Sequence, residues 1–129
     1  MLELARKRLP DQEWTLASLE TFAPGGVFSA AIAWDSLFHI PRTAHESIFD
    51  YVRKALRRGG RFVLTVGGSE HPAFTDTMFE HTFFYDSHPP EIAMKLLKDL
   101  GFDLVYTEFL NLPTSGRDKG RLAVVATAA

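Results

Sequence analysis

A chain of 129 residues with net charge −2, 46% hydrophobic and 23% charged residues has the make-up of one ordinary globular domain. That balance offers no basic face for nucleic acid, no apolar run nears the ~20 residues of a membrane span, and the charged start at Glu3, Arg6, Lys7 and Arg8 is unlike a signal peptide. With no cysteine there are no disulfides, thiolate metal sites or thiol nucleophiles, and a cytoplasmic protein is expected.

Met1–Leu9 reads as a helix with Leu2, Ala5 and Leu9 on one face, ended by Pro10. Glu13–Ala17 reads as a short strand, Ser18–Pro24 as a loop and Pro24-Gly25-Gly26 as a turn. Phe28–Trp34 is apolar apart from Ser29, a pattern suited to a strand covered on both faces. Asp35-Ser36 ends it. Thr43-Ala44-His45-Glu46 has the form of a capping box, Thr43 as N-cap and Glu46 at N3. Ile48, Phe49, Val52, Ala55 and Leu56 then recur at helical spacing. Gly59-Gly60 is expected to stop this helix, with Arg57-Arg58 at its solvated end, complementing the dipole. Arg61–Val66 is the next buried strand, so the unit is βαβ and right-handed. Ligands of open α/β sheets bind beyond the carboxyl ends of the strands, which places Trp34–His39 beside Gly67–His71 at the working edge.

Gly68–His88 reads as a long aromatic loop, a lid or substrate wall over those strand ends. Pro89-Pro90-Glu91 opens a helix with Ile92, Ala93, Leu96, Leu97 and Leu100 on its apolar face, closed by Gly101. Asp103–Leu110 and Leu122–Thr127 are strands joined by the loop Asn111–Gly120. With no helix between them they should run antiparallel.

The succession of an apolar strand ending in W-D-S-L-F-H, a helix and the strand R-x-G-G-R-F-V-L-T resembles the class I S-adenosylmethionine-dependent methyltransferases, from their fourth strand through their fifth. F-F-Y-D-S-H-P-P-E-I, a helix and Leu100-Gly101-Phe102 continue the likeness, which covers most of the chain. It implies an α/β fold, a Rossmann-like doubly wound sheet, mostly parallel with an antiparallel final strand, over a single partial domain spanning residues 1–129. It also implies S-adenosylmethionine as cofactor and a small-molecule acceptor. The family's first strand and glycine-rich loop have no counterpart, and no G-x-G-x-x-G occurs. The expectation is an N-terminally truncated domain, with Met1 an internal methionine of a longer frame; the alternative is a shortened sheet in which the strands at Glu13 and Phe28 pair directly.

By that resemblance Ser18 and Leu19 lie near the adenine, where serine replaces an acidic residue, and Ala33 and Trp34 line the methionine end. Asp35 is a candidate to orient an acceptor hydroxyl or amine, or else caps the following turn. His39 is a candidate general base, a role histidine suits near neutral pH, or is simply a surface histidine. His81, Phe84 and Tyr85 are candidate substrate-wall residues, or pack beneath the lid. His71, His81, His88 and Asp86 match no compact metal-ligand spacing, so no metal is expected. No G-x-S-x-G elbow exists. Two further readings stay open: a non-catalytic partner protein associating through an open sheet edge, with a second copy or another chain, and another α/β enzyme using His39 with Asp35.

Overall fold

The computed structural model describes all 129 residues, Met1–Ala129. Its order is α1 (Leu2–Arg8), β1 (Phe28–Ala33), 3-10 turns at Leu37–His39 and Arg42–Ala44, α2 (His45–Ala55), β2 (Leu56–Gly67), β3 (Phe74–Met78), β4 (His81–Tyr85), α3 (Pro90–Asp99), β5 (Phe102–Asn111) and β6 (Arg121–Ala128). Four strands form a sheet in the order β1-β2-β6-β5; β3 and β4 pair separately. β1 and β2 are parallel, while β6 is antiparallel to both its neighbours. Three of the four strands therefore point one way and only the final strand is reversed, as expected.

The period-2 alternation of a strand decides where the core lies. Phe62, Leu64 and Val66 of β2 and Leu122, Val124, Ala126 and Ala128 of β6 share one buried face. Ile48 and Phe49 of α2 and Ala93 and Leu97 of α3 cover it. Phe49 meets Phe62 edge-on at 6.0 Å, and Phe62 meets Phe102 at 5.7 Å. On the opposite face the register aligns Ile32, Val63, Val125 and Tyr106 across the sheet. Ile32 and Tyr106 are exposed there.

Several local expectations are corrected. β1 is not covered on both faces: Ala31 and Ala33 pack on the core, but Phe28, Ile32 and Trp34, pointing to the face away from the helices, are 46%, 73% and 47% exposed. Glu13–Ala17 forms no strand. No strand lies beside it to complete a ladder, and Trp14 Nε1 instead donates to the Leu9 carbonyl at 3.0 Å. So these two stretches do not pair directly. The Thr43–Glu46 capping box does not form, since α2 begins after Ala44 with no side-chain cap. The turn starts earlier because the distant Asp86 carboxylate accepts the Arg42 N–H at 2.7 Å, doing what a local cap would do. α2 then ends at Ala55, and Leu56 is already extended. Gly59-Gly60 lies inside β2, along with Arg57 and Arg58, where the β1–β2 register slips between Phe28 and Ala30. Gly59 adopts φ +77°, and a Cβ on Gly60 would sit 2.8 Å from the Arg57 carbonyl oxygen. The glycine pair shapes a bulge rather than a helix end.

Gly68–His88 is likewise not structureless. It folds into the hairpin β3–β4, closed by Phe79-Glu80, both with positive φ (51° and 64°). That is the geometry of a primed two-residue turn.

Candidate active site at the carboxyl ends of the strands

Because β1 and β2 are parallel and β6 runs back, Asp35, Gly67 and Arg121 meet at one edge of the sheet. Asp35 follows directly on β1 in a left-handed conformation, φ 46°. Such a backbone persists only where neighbours fix it. Its N–H donates to Thr65 Oγ1 at 2.8 Å, and that hydroxyl donates to Asp35 Oδ1 at 3.2 Å. Arg121 donates to Oδ2 at 2.7 Å. Thr65 is the lone polar residue in an otherwise apolar stretch of β2, a signal visible in the sequence. Arg121, 86 residues from Asp35, gave none.

Behind this edge a cavity of about 390 Å³ opens between the hairpin and the β5–β6 loop. Its apolar lining is Phe38, Phe74 and Tyr85; its floor includes Gly67 and Ser87. The floor is tight: Ser87 Oγ accepts the Gly67 N–H at 2.9 Å, and a Cβ on Gly67 would collide with Ser87. Asp86 anchors the hairpin's return. It is buried and takes both Arg42 N–H at 2.7 Å and Arg42 Nε at 2.6 Å, while Arg42 Nη2 reaches the His71 carbonyl at 2.5 Å. Burial raises the Asp86 pKa, but the Arg42 hydrogen bonds and charge outweigh it and hold the carboxyl below its ordinary value. At the tip, Arg117 pairs with Asp76 and donates to the Thr77 carbonyl.

The other expected site residues are distributed around this edge. Ala33 ends β1 and packs against the core, and Trp34 beyond it is half exposed. Leu19 also packs against the core; the Ser18 carbonyl accepts the N–H groups of Thr21 and Phe22, making a turn. Tyr85 lines the cavity. The hairpin register puts His81 on the same face as Tyr85 and Phe84 on the other. His39 Nδ1 lies 3.0 Å from the Phe84 carbonyl, and its ring packs on Phe83 and Tyr85 at 5.4 and 5.0 Å. His39 and Asp35 make no hydrogen bond to each other. Sequence reasoning did not single out Arg42, Thr65, Ser87 and Arg121, nor the loop residues Arg117, Asp118 and Lys119.

No protein-family model matches the sequence, and no curated protein is similar to it in sequence. Solved structures do match. A S-adenosylmethionine-dependent methyltransferase from Methanosarcina mazei superposes with TM-score 0.76 at 18% identity, over 98% of this chain and 76% of that one. A Burkholderia thailandensis 1,6-didemethyltoxoflavin-N1-methyltransferase, with bound 1,6-didemethyltoxoflavin and S-adenosylhomocysteine, gives 0.71 at 17%, over 98% of this chain and 56% of that one. The magnesium protoporphyrin IX methyltransferase of Synechocystis, with bound S-adenosylmethionine, gives 0.68 at 18%, over 100% and 55%. This chain thus spans between about half and three quarters of these proteins. At such identities the likeness is one of architecture, and the architecture is that of the class I S-adenosylmethionine-dependent methyltransferases.

Proposed function

We propose that the chain belongs to an S-adenosylmethionine-dependent methyltransferase acting on a small molecule, and that it forms the acceptor side of the site together with one wall of the cofactor crevice. The observation that carries this reading is Asp35, held in a left-handed conformation by Thr65 and Arg121 where the parallel strands end. In this reading the residues present would hold the cofactor along one wall. The Ser18–Leu19 turn would take the adenine side, and Ala33 with the half-exposed Trp34 the methionine side; no glycine-rich loop is present to complete it. S-adenosylmethionine, when bound, supplies a methyl group on a positively charged sulfur, which leaves as a neutral thioether once the acceptor has taken the methyl. The protein's task is alignment, which supplies most of the acceleration of such a displacement. Asp35 accepts a hydrogen bond from the acceptor's hydroxyl or amine, and the free Nε2 of His39 takes the proton it loses. Tyr85, with His81 on the same face of the hairpin, forms the substrate wall, and Phe84, on the opposite face, supports it from behind through its carbonyl's contact with His39.

Calorimetric titration of S-adenosylhomocysteine into the purified chain tests this. Micromolar binding, weakened about tenfold in Trp34→Ala, is expected. A folded chain that releases no heat on titration would limit the likeness to ancestry.

A second reading has its own observation. β1 leaves an unpaired edge with Phe28, Ile32 and Trp34 exposed, as a partner protein joined through its sheet would. The partner is either a second copy or another chain. That reading predicts concentration-dependent association without cofactor affinity.

A further inference from the structure

The cavity beneath the hairpin has walls of two kinds. One is aromatic: Phe74 and Tyr85 are a cross-strand pair whose rings stack at 5.3 Å and 15°, and Phe38 joins them. The other comes from the end of β2 and the start of β6, where Gly67 and Gly120 present bare backbone beside Arg117 and Arg121. An aromatic platform opposite guanidinium groups favours a flat ring, which stacks on the one and meets the cations of the other. A volume of about 390 Å³ suits a small ligand of one or two rings.

The charges are selective as well. Asp86 is paired with Arg42, Asp76 with Arg117, and Arg121 with Asp35. Asp118 accepts the Asn111 amide at both oxygens, 2.8 and 2.9 Å, and the Gly120 N–H at 2.9 Å. Lys119 differs: its ammonium group makes one hydrogen bond, to the Gly116 carbonyl at 3.1 Å, and no ion pair. An ammonium carries three donors, so two remain for a ligand. Lys119 is thus the cation of the lining that no carboxylate neutralises, whereas Asp118, also without an ion pair, is already held by three neutral N–H donors.

We propose that the acceptor is an aromatic acid of one or two rings, its ring against Phe74 and Tyr85 and its carboxylate at Lys119. The role as acceptor rests on the methyltransferase reading; the binding does not.

The test is calorimetric titration of three probes into the chain: para-hydroxybenzoate, para-cresol and trans-hydroxycyclohexanecarboxylate. Para-hydroxybenzoate should bind tightest. Para-cresol should bind about fivefold more weakly for want of one half-exposed charge contact. The saturated acid should bind about tenfold more weakly for want of stacking. Lys119→Met should bring para-hydroxybenzoate down to the level of para-cresol and leave para-cresol unchanged. Tyr85→Leu should weaken both aromatic probes. Equal affinity for the acid and para-cresol, an unaltered acid affinity in Lys119→Met, or no saturable binding of any probe overturns the proposal. The two readings fail separately. Probe binding without S-adenosylhomocysteine binding keeps this site and sinks the methyltransferase; the reverse result sinks this site alone.

Discussion

Asp86 shows how one buried carboxylate can organise a site. It starts the turn before α2, ties down the hairpin through Arg42 and is the acid that balances a largely buried guanidinium. Removing one partner of a buried pair leaves the other charge uncompensated. Asp86→Asn is therefore expected to cost about 3 kcal/mol in urea unfolding, far more than removing the exposed Lys54–Asp50 pair. A second titrating group lies nearby. His45 is buried, and its Nε2 lies 3.0 and 3.1 Å from the Leu37 and Ile40 carbonyls, which fixes that nitrogen as the N–H of a neutral ring. Desolvation lowers its pKa below the ordinary 6.5, against the Ile40 and Leu37 hydrogen bonds and the Asp86 charge, with His88 adding to the lowering. The unfolded chain then binds the proton first on acidification. The His45 contribution is complete above pH 6.5 and is lost as pH falls through the depressed folded value. Asp86 acts lower, its contribution fading below the ordinary 3.8. Urea midpoints taken between pH 7 and pH 5 should fall in the wild type and fall less in His45→Gln. None of this was legible in the sequence. His45 looked like a capping-box spacer, and Asp86 like a stray metal ligand, because both owe their roles to residues 5 to 44 positions away.

At the scale of elements, helical spacing identified α2 and α3 and apolar runs identified β2 and β6, because each buries one face in the shared core, whereas β5, of mixed character, sends only Phe102 and Leu104 into it. Such patterns failed where tertiary pairing decides the outcome. The hairpin was read as a loop because its turn carries Phe79-Glu80 in place of the Asn-Gly or Asp-Gly that marks primed turns. Two side-chain-bearing residues in the left-handed region cost about 1 kcal/mol each. The double change Phe79→Asn with Glu80→Gly should stabilise the hairpin by about 1 kcal/mol, read as slower amide exchange across Phe74–Tyr85. No gain in protection would mean that the Arg117 and His39 tethers, rather than the turn, hold the hairpin. Glu13–Ala17 failed for the opposite reason: its residues suit a strand, but no neighbour offers hydrogen bonds.

For the whole molecule, the reversal of the last strand followed from its helix-free connection to β5, and the shared direction of the other three from the helical crossover and the family resemblance. The open edge stood only as an alternative reading, since a run of apolar residues reads the same whether a neighbour covers it or not. Ile32, 73% exposed on that edge, is the residue through which association is most cheaply blocked. Sedimentation of the wild type should show mass rising with concentration, and Ile32→Lys should remain at monomer mass. Equal behaviour of the two would remove the edge as an interface.

β6 is made after every other strand of the sheet, yet it occupies an interior position between β2 and β5. During synthesis β1 and β2 thus precede by many residues the strand that β2 pairs with on its other side. Until Arg121–Ala128 emerges, β2 and β5 each present an unpaired flank to whatever is nearby. Closure must also wait for contacts between residues far apart in the chain, which slows folding. The nascent chain is therefore expected to engage holding chaperones until β6 slots in, and ribosome-bound chains stalled before Arg121 should be cut by protease where chains with Arg121–Ala128 clear of the tunnel resist.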